Sequence, residues 1–358
     1  MILMRVHWLL CLALIGCSPG AKRATAPTLP TPHASAIWPW PHGAPEALSK
    51  GVTRWYHKAS DGTTLELLRF DFAANPRMRL ELYDQDQDDT KPFDNEADYF
   101  SRGVGHVVRH LLDEGRGRVL AAWNGPFFGY DKKRNPPHGF AMHVGPVFLQ
   151  GVMRYNVGRP RWCFGVKEGK FAIVHSSELI ANDTRFDFGA AGLQCLIKEG
   201  KPLSLQPVPK EGAEPLKQPV PCAPDEAGHI PRVDHIRTSR VSMAWSRDSR
   251  QLYLLVVNEP DNETESWLAL KRGKPLGAGF TLDDLQRFWL SFSAAEPIWG
   301  AINSDGGAVT QLTYSRKGAN YELLPARIAY RNTRLVFGPD FSGAPAGGSL
   351  MTFYVTER

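Results

Sequence analysis

The sequence predicts an α+β fold, a single domain with a mixed, mostly antiparallel β-sheet and a few flanking helices. Three observations predict it. Short apolar segments with strand-like alternation recur between Gly- and Pro-bearing turns. Two segments carry the apolar period of an amphipathic helix. The 28 prolines and 33 glycines argue against a helical bundle or coiled coil, while 42% hydrophobic residues exclude a disordered chain. The 358 residues show no internal repeat and no sharp composition break after residue 50. A net charge of +5 is too small to point to nucleic acid.

The N-terminus reads as an address. Arg5 supplies a positive n-region, and Val6–Gly16 is an apolar segment too short to span a bilayer. Leu14-Ile15-Gly16-Cys17 resembles a bacterial lipobox. In that reading residues 1–16 are removed and the Cys17 thiol carries a lipid anchor. The alternative is an ordinary signal peptide with a chance cysteine. Ser18 resembles the outer-membrane sorting pattern of Gram-negative lipoproteins. Residues 17–50 then form a Pro-rich tether, in which Trp38 and Trp40 pack on the domain or at a lipid surface. The expectation is an exported, lipid-anchored protein of the bacterial cell envelope, at the outer membrane and facing periplasm or surface. Residues 51–358 hold the domain.

Within it, Thr64–Phe72 and Met78–Tyr83 alternate as strands do, around the turn Ala73-Ala74-Asn75-Pro76. Asp84-Gln85-Asp86-Gln87-Asp88-Asp89 has a calcium-loop look. It lacks the glycine at the sixth position and the glutamate at the twelfth, so it reads as a solvated acidic loop. Asn95 is placed to cap a helix over Glu96–Glu114, ended by Gly115-Arg116-Gly117. Val119–Trp123 is a buried strand. Met142–Val144 and Val147–Leu149 read as a hairpin around Gly145-Pro146, and Cys163–Val166 with Phe171–Val174 as another. Lys198–Pro231 is a surface excursion. Arg240–Trp245 and Leu252–Asn258 are strands joined by Arg247-Asp248-Ser249. Thr281 caps a helix whose inner face is Leu282, Leu285, Phe288, Trp289 and Phe292. Ile298–Asn303 is a buried strand, and strands follow from Arg327 to Val355. No Cys/His spacing suggests zinc. Cys195 and Cys222 flank the excursion, so either they form a disulfide and leave Cys163 free, or all three are unpaired.

Two strand ends share one design. At Asn124-Gly125 and at Asn303-Ser304-Asp305-Gly306-Gly307, a hydrophobic strand stops at polar residues followed by glycine. Glycine allows a sharp turn and close approach to the backbone. The order of pieces resembles the phosphodiester glycosidase family. Its Asn-Gly-Gly-Phe-Phe-Asp motif stands here as Asn124-Gly125-Pro126-Phe127-Phe128-Gly129-Tyr130-Asp131, and its Pro-x-Gly segment as Pro137-His138-Gly139-Phe140. Arg240-Val241-Ser242-Met243-Ala244, Gly279-Phe280-Thr281-Leu282 and Asn303-Ser304-Asp305-Gly306-Gly307-Ala308-Val309 match the later motifs. The match runs roughly from Leu65 to Val336. Pro126 replaces a glycine, Val241 a threonine and Ala308-Val309 a Gly-Ser pair, and the acid is displaced to Asp131.

The resemblance implies hydrolysis of the bond between a sugar and a phosphodiester oxygen. Phosphate leaves readily, so the enzyme mainly stabilises an oxocarbenium-like centre and the departing charge. Asp305 is the candidate catalytic carboxylate, with Asp131 or Glu259 as the second. Arg240 would hold phosphate. Asn124 and Asn303 would bind sugar hydroxyls or orient water, and the backbone of Gly306 and Gly307 would face an anion. Gly125, Phe127, His138 and Gly139 complete the substrate-binding set. His138 and His143 are the possible proton carriers, His143 reading better as a satisfied buried or surface imidazole. No cofactor is implied, although a carboxylate pair leaves room for a divalent cation. A glycosyl phosphodiester or cell-surface polysaccharide is the expected substrate. The alternative is a carbohydrate- or phosphate-binding lipoprotein with a degraded site.

Overall fold

A computed structural model describes residues 44–89, 91, 92, 97, 98, 103–131, 140–155, 162–175, 178, 179, 185–203, 205, 237–259, 278–292, 297–316, 320–324 and 349–358. The signal peptide, Cys17, most of the expected tether, His138, Gly139 and Cys222 lie outside these residues.

The first strands are β1 (Glu46–Ser49), β2 (Val52–Lys58), β3 (Thr64–Asp71), β4 (Met78–Asp84) and β5 (Ala97–Asp98). Helix α1 (Val104–Asp113) precedes β6 (Arg118–Asn124), β7 (Phe128–Asp131), β8 (Phe140–His143), β9 (Val147–Leu149) and β10 (Val152–Tyr155). Next come β11 (Trp162–Lys167), β12 (Lys170–His175), β13 (Phe188–Lys198), β14 (Lys201–Pro202), β15 (Arg240–Ser246) and β16 (Gln251–Asn258). Helix α2 (Leu282–Ser291) leads to β17 (Ile298–Asn303), β18 (Leu312–Arg316), β19 (Asn320–Leu324) and β20 (Met351–Glu357).

They form three sheets. The largest runs β1-β2-β3-β16-β15-β17-β13-β11-β12, with β9 and β14 on β13 and β10 on β9. A five-stranded sheet runs β19-β18-β6-β20-β4, and a small one runs β5-β8-β7. Every strand pair among the described residues is antiparallel, so the expected mixed sheet is instead wholly antiparallel there.

Period-2 alternation builds four layers. Leu68 and Phe70 of β3 and Leu252, Leu254 and Val256 of β16 face the five-stranded sheet, meeting Trp123 and Phe353. The rings of Phe70 and Trp123 lie 6.0 Å apart, and those of Phe164 and Phe353 5.9 Å. Leu65, Leu67, Leu255 and Val257 face the other way, onto Leu285, Phe288 and Trp289 of α2. Val104, Val107, Val108 and Leu111 of α1 cover Val119, Ala122 and Tyr354 on the far side of the smaller sheet. Each such side chain contributes roughly 1.5–3 kcal/mol by leaving water. Burial on both faces explains why β6 and β16 read as nearly continuous apolar runs.

Several local expectations change. The first helix begins at Val104 rather than Glu96, because Ala97-Asp98 pair with β8 and Gly103 occupies the cap position. The Val104 N–H is capped from afar by Gln311 Oε1 at 2.9 Å. Met142–Val144 and Val147–Leu149 do not pair: β8 joins β7, while β9 joins β13. The acidic segment is not a solvated loop, since Asp84, Gln85 and Asp86 are buried. Strand β1 lies inside the stretch expected to be tether and pairs with β2. Among the described residues Cys195 makes no disulfide: it faces the core from mid-β13, a free buried thiol like Cys163. The β11–β12 and β15–β16 hairpins and the capping box of Thr281 and Asp284 on α2 form as the sequence predicts.

Candidate functional site

Strands β6 and β17 belong to different sheets, yet their C-terminal ends meet. The Asn124 side chain is the staple. Its Nδ2 donates to the Asp305 carbonyl at 2.7 Å, and its Oδ1 accepts from the Gln311 N–H at 2.9 Å. The Ser304 hydroxyl donates to the Gly125 carbonyl at 2.6 Å, and the Asp305 N–H reaches the same oxygen at 3.2 Å. Gly125 must be glycine: a Cβ there would stand 2.6 Å from the Met351 carbonyl oxygen of β20. The crossing of loop and strand thus leaves no room for a side chain.

Arg240 opens β15, which runs antiparallel to β17, so its start lies beside the end of that strand. The side chain is fully buried, and its Nε donates to the Phe280 carbonyl at 3.0 Å. A Cβ on Gly306 would lie 3.5 Å from Arg240 Cδ and 2.7 Å from the Ser239 carbonyl, so this turn passes directly over the base of the arginine.

Asp305 stands above it, half-buried. Its Oδ1 accepts the Gly306 N–H at 2.8 Å, and its Oδ2 accepts no hydrogen bond among the described residues. Burial pushes its titration up to about 7; the Gly306 N–H and the Arg240 charge pull the other way and only partly offset it. A carboxyl that titrates near neutrality can give or take a proton at little cost.

The same wall carries Thr238, Ser239 and Glu259. Thr238 Oγ donates to Glu259 Oε1 at 3.4 Å, the Glu259 N–H donates to Ser239 Oγ at 3.1 Å, and Thr238 Oγ is 3.7 Å from the Cβ position of Gly307. Glu259 is therefore held near the Gly306-Gly307 turn. Asp131, the other candidate for the second carboxylate, ends β7 opposite Phe140.

The amide, guanidinium and carboxyl of Asn124, Arg240 and Asp305 do converge, but their roles differ from expectation. Asn124 is wholly buried and spends both ends of its amide inside the protein, so it shapes the site rather than touching a ligand. The N–H groups of Gly306 and Gly307 are also spent, on Asp305 and on the Ser239 carbonyl at 2.8 Å, and do not face an anion. Asn303 is buried and donates to Gln194 Oε1 at 2.6 Å. The Phe127 N–H donates to the Gly192 carbonyl at 2.9 Å. His143 lies elsewhere, buried with its Nε2 2.8 Å from Asp84 Oδ2. Sequence reasoning missed Gln311 and Gln194, which hold the two asparagines. No motif surrounds either. A groove of about 740 Å³ lies away from these residues, between edge strand β4 and Leu149 and Phe171. Its position argues against making it the reaction site, since none of the convergent polar groups lines it.

No protein-family model matches the chain, and no curated protein matches it. Among solved structures, it is similar to a protein of Synechocystis named only as hypothetical, at 12% identity and a TM-score of 0.45. That match covers 86% of this chain and 62% of the Synechocystis protein, so the chain spans less than two thirds of that protein's length. It is also similar to a protein of Burkholderia pseudomallei K96243 described as exported, at 10% identity and a TM-score of 0.42, over 85% of this chain and 74% of the other.

Proposed function

We propose that the chain is an envelope-anchored hydrolase that cleaves the sugar–phosphate bond of a glycosyl phosphodiester at Asp305. One observation carries this reading: a carboxyl titrating near 7, with one oxygen uncommitted among the described residues, sits beside a buried arginine at the meeting of two glycine-rich turns. Asp305 serves as the proton carrier, activating water or protonating the departing phosphate oxygen. The positive charge of Arg240, fixed by the Phe280 carbonyl, draws the phosphate and steadies its developing charge. Glu259 is the favoured second carboxylate, because it is held on the same wall. The motif order from Asn124 to Val309 supplies the substrate class, and Leu14–Cys17 supplies the anchor and the cell-envelope location.

The second reading, a binding lipoprotein with a degraded site, draws on the internal use of Asn124, Gly306 and Gly307. Incubating the purified full-length chain with a synthetic sugar-1-phosphodiester separates the two. Release of free sugar, absent with a simple alkyl glycoside, supports the hydrolase. Thermal stabilisation by the diester without turnover supports binding, and neither response rejects both.

A further inference from the structure

Helix α1 carries His110 near its end and Glu114 at its C-cap, four residues apart and so on one helix face. Facing them, the short 3₁₀ turn Gln85–Asp88 ends in Asp88. His110 Nε2 stands 3.2 Å from Asp88 Oδ2 and 3.3 Å from Glu114 Oε1. That nitrogen is enclosed, yet it makes no hydrogen bond with either oxygen or with any other described group.

We propose that Asp88, His110 and Glu114 form a binding site for a divalent transition-metal ion, Zn²⁺ foremost, with water completing the coordination. Three independent features support it. Ligand atoms bound to Zn²⁺ at about 2.0–2.2 Å in a tetrahedral arrangement lie about 3.3 Å from one another; the imidazole nitrogen stands at that separation from each carboxylate oxygen, and all three atoms lie within 4.8 Å of one another. One imidazole nitrogen with two carboxylates suits Zn²⁺ better than Ca²⁺ or Mg²⁺, which take oxygen alone. The ligands are also held from behind. The Tyr83 hydroxyl donates to Asp88 Oδ2, the oxygen that also faces His110, the Tyr83 ring packs 5.4 Å from the imidazole, and Arg116 Nε binds the other oxygen of Glu114 at 3.0 Å. Such outer contacts fix ligand orientation. The three side chains are 25–36% exposed, so the cluster borders solvent although the imidazole nitrogen itself is covered. A plain ion pair of protonated His110 would aim its N–H at one carboxylate oxygen, whereas Nε2 stands almost equally far from both and is hydrogen-bonded to neither. The other His–carboxylate cluster, Asp84, Asp86 and His143, lacks these features: it is closed to solvent and its imidazole is already bonded to Asp84.

Titration of the full-length chain with Co²⁺, followed by visible absorption, tests the site. The expected result is one saturable equivalent with a d–d band of low coordination number. His110→Ala should abolish it, and Glu114→Gln and Asp88→Asn should weaken it more than about tenfold. Asp113→Asn, which changes a neighbouring acid outside the cluster, should leave it intact. Glu114→Gln alters a partly exposed helix end, so it keeps the test valid should the histidine variant fold poorly. No saturable equivalent below millimolar Co²⁺, or an unchanged spectrum in Glu114→Gln, overturns the proposal.

Discussion

Substituting Asp305 by Asn keeps the shape and the acceptor for the Gly306 N–H but removes the ionisable proton. The folded carboxyl titrates near 7 against an ordinary 3.8, a gap equivalent to about 4 kcal/mol if burial acted undiluted. Water at the open side of this half-buried residue screens part of that, leaving an expected 1–2 kcal/mol, roughly. The sign follows from the raised value. The folded state holds the proton more tightly, so the contribution is fully present below about pH 4 and is lost as pH rises through about 7. The variant lacks this loss. Thermal melts should therefore coincide at pH 4, while at pH 8 the variant should melt about 2–4 °C higher. Under the proposed function, hydrolysis of a sugar-1-phosphodiester should meanwhile fall by roughly 10²–10⁴. A variant destabilised equally at both pH values, with turnover within a few-fold of wild type, would mean that Asp305 only caps a turn.

Three further outcomes follow from the same geometry. Asn124→Asp places an oxygen against the Asp305 carbonyl in place of a donor, and should cost about 1–3 kcal/mol in denaturant titrations, with no change in the slope. Gly125→Ala sets a methyl 2.6 Å from the Met351 carbonyl; overpacking of about 1–3 kcal/mol should lower the melting temperature and speed amide exchange in β20. His143 is buried, which alone would lower its titration, but the Asp84 charge and hydrogen bond, with Asp86, raise it above 6.5. Its contribution is thus present below pH 6.5 and lost as pH rises through the raised folded value, a slope that His143→Gln should remove from a plot of stability against pH.

Much of the secondary structure is written locally. The alternation in Thr64–Asp71 and Gln251–Asn258, and the capping box at Thr281 and Asp284, are properties of neighbouring residues. The hairpin misread at Gly145-Pro146 shows where this stops. Two adjacent apolar segments resemble a hairpin pair, but β8 and β9 find better partners in different sheets. The acidic segment misleads for a related reason. Its spacing fits solvent or calcium, yet β4 carries Asp84 into the interior, where His143, 59 residues away, meets it.

The candidate site divides along the same line. Sequence alone marked Asn124, Arg240 and Asp305, because polar residues ending apolar strands before glycine stand out and because their order resembles a known arrangement. Only the tertiary structure decided their work. Asn124 and Asp305 are 181 residues apart, and the packing of two sheets makes one a staple and lifts the titration of the other towards neutrality. Burial and long-range hydrogen bonds set those roles, and neither is encoded within a few residues of the groups they govern.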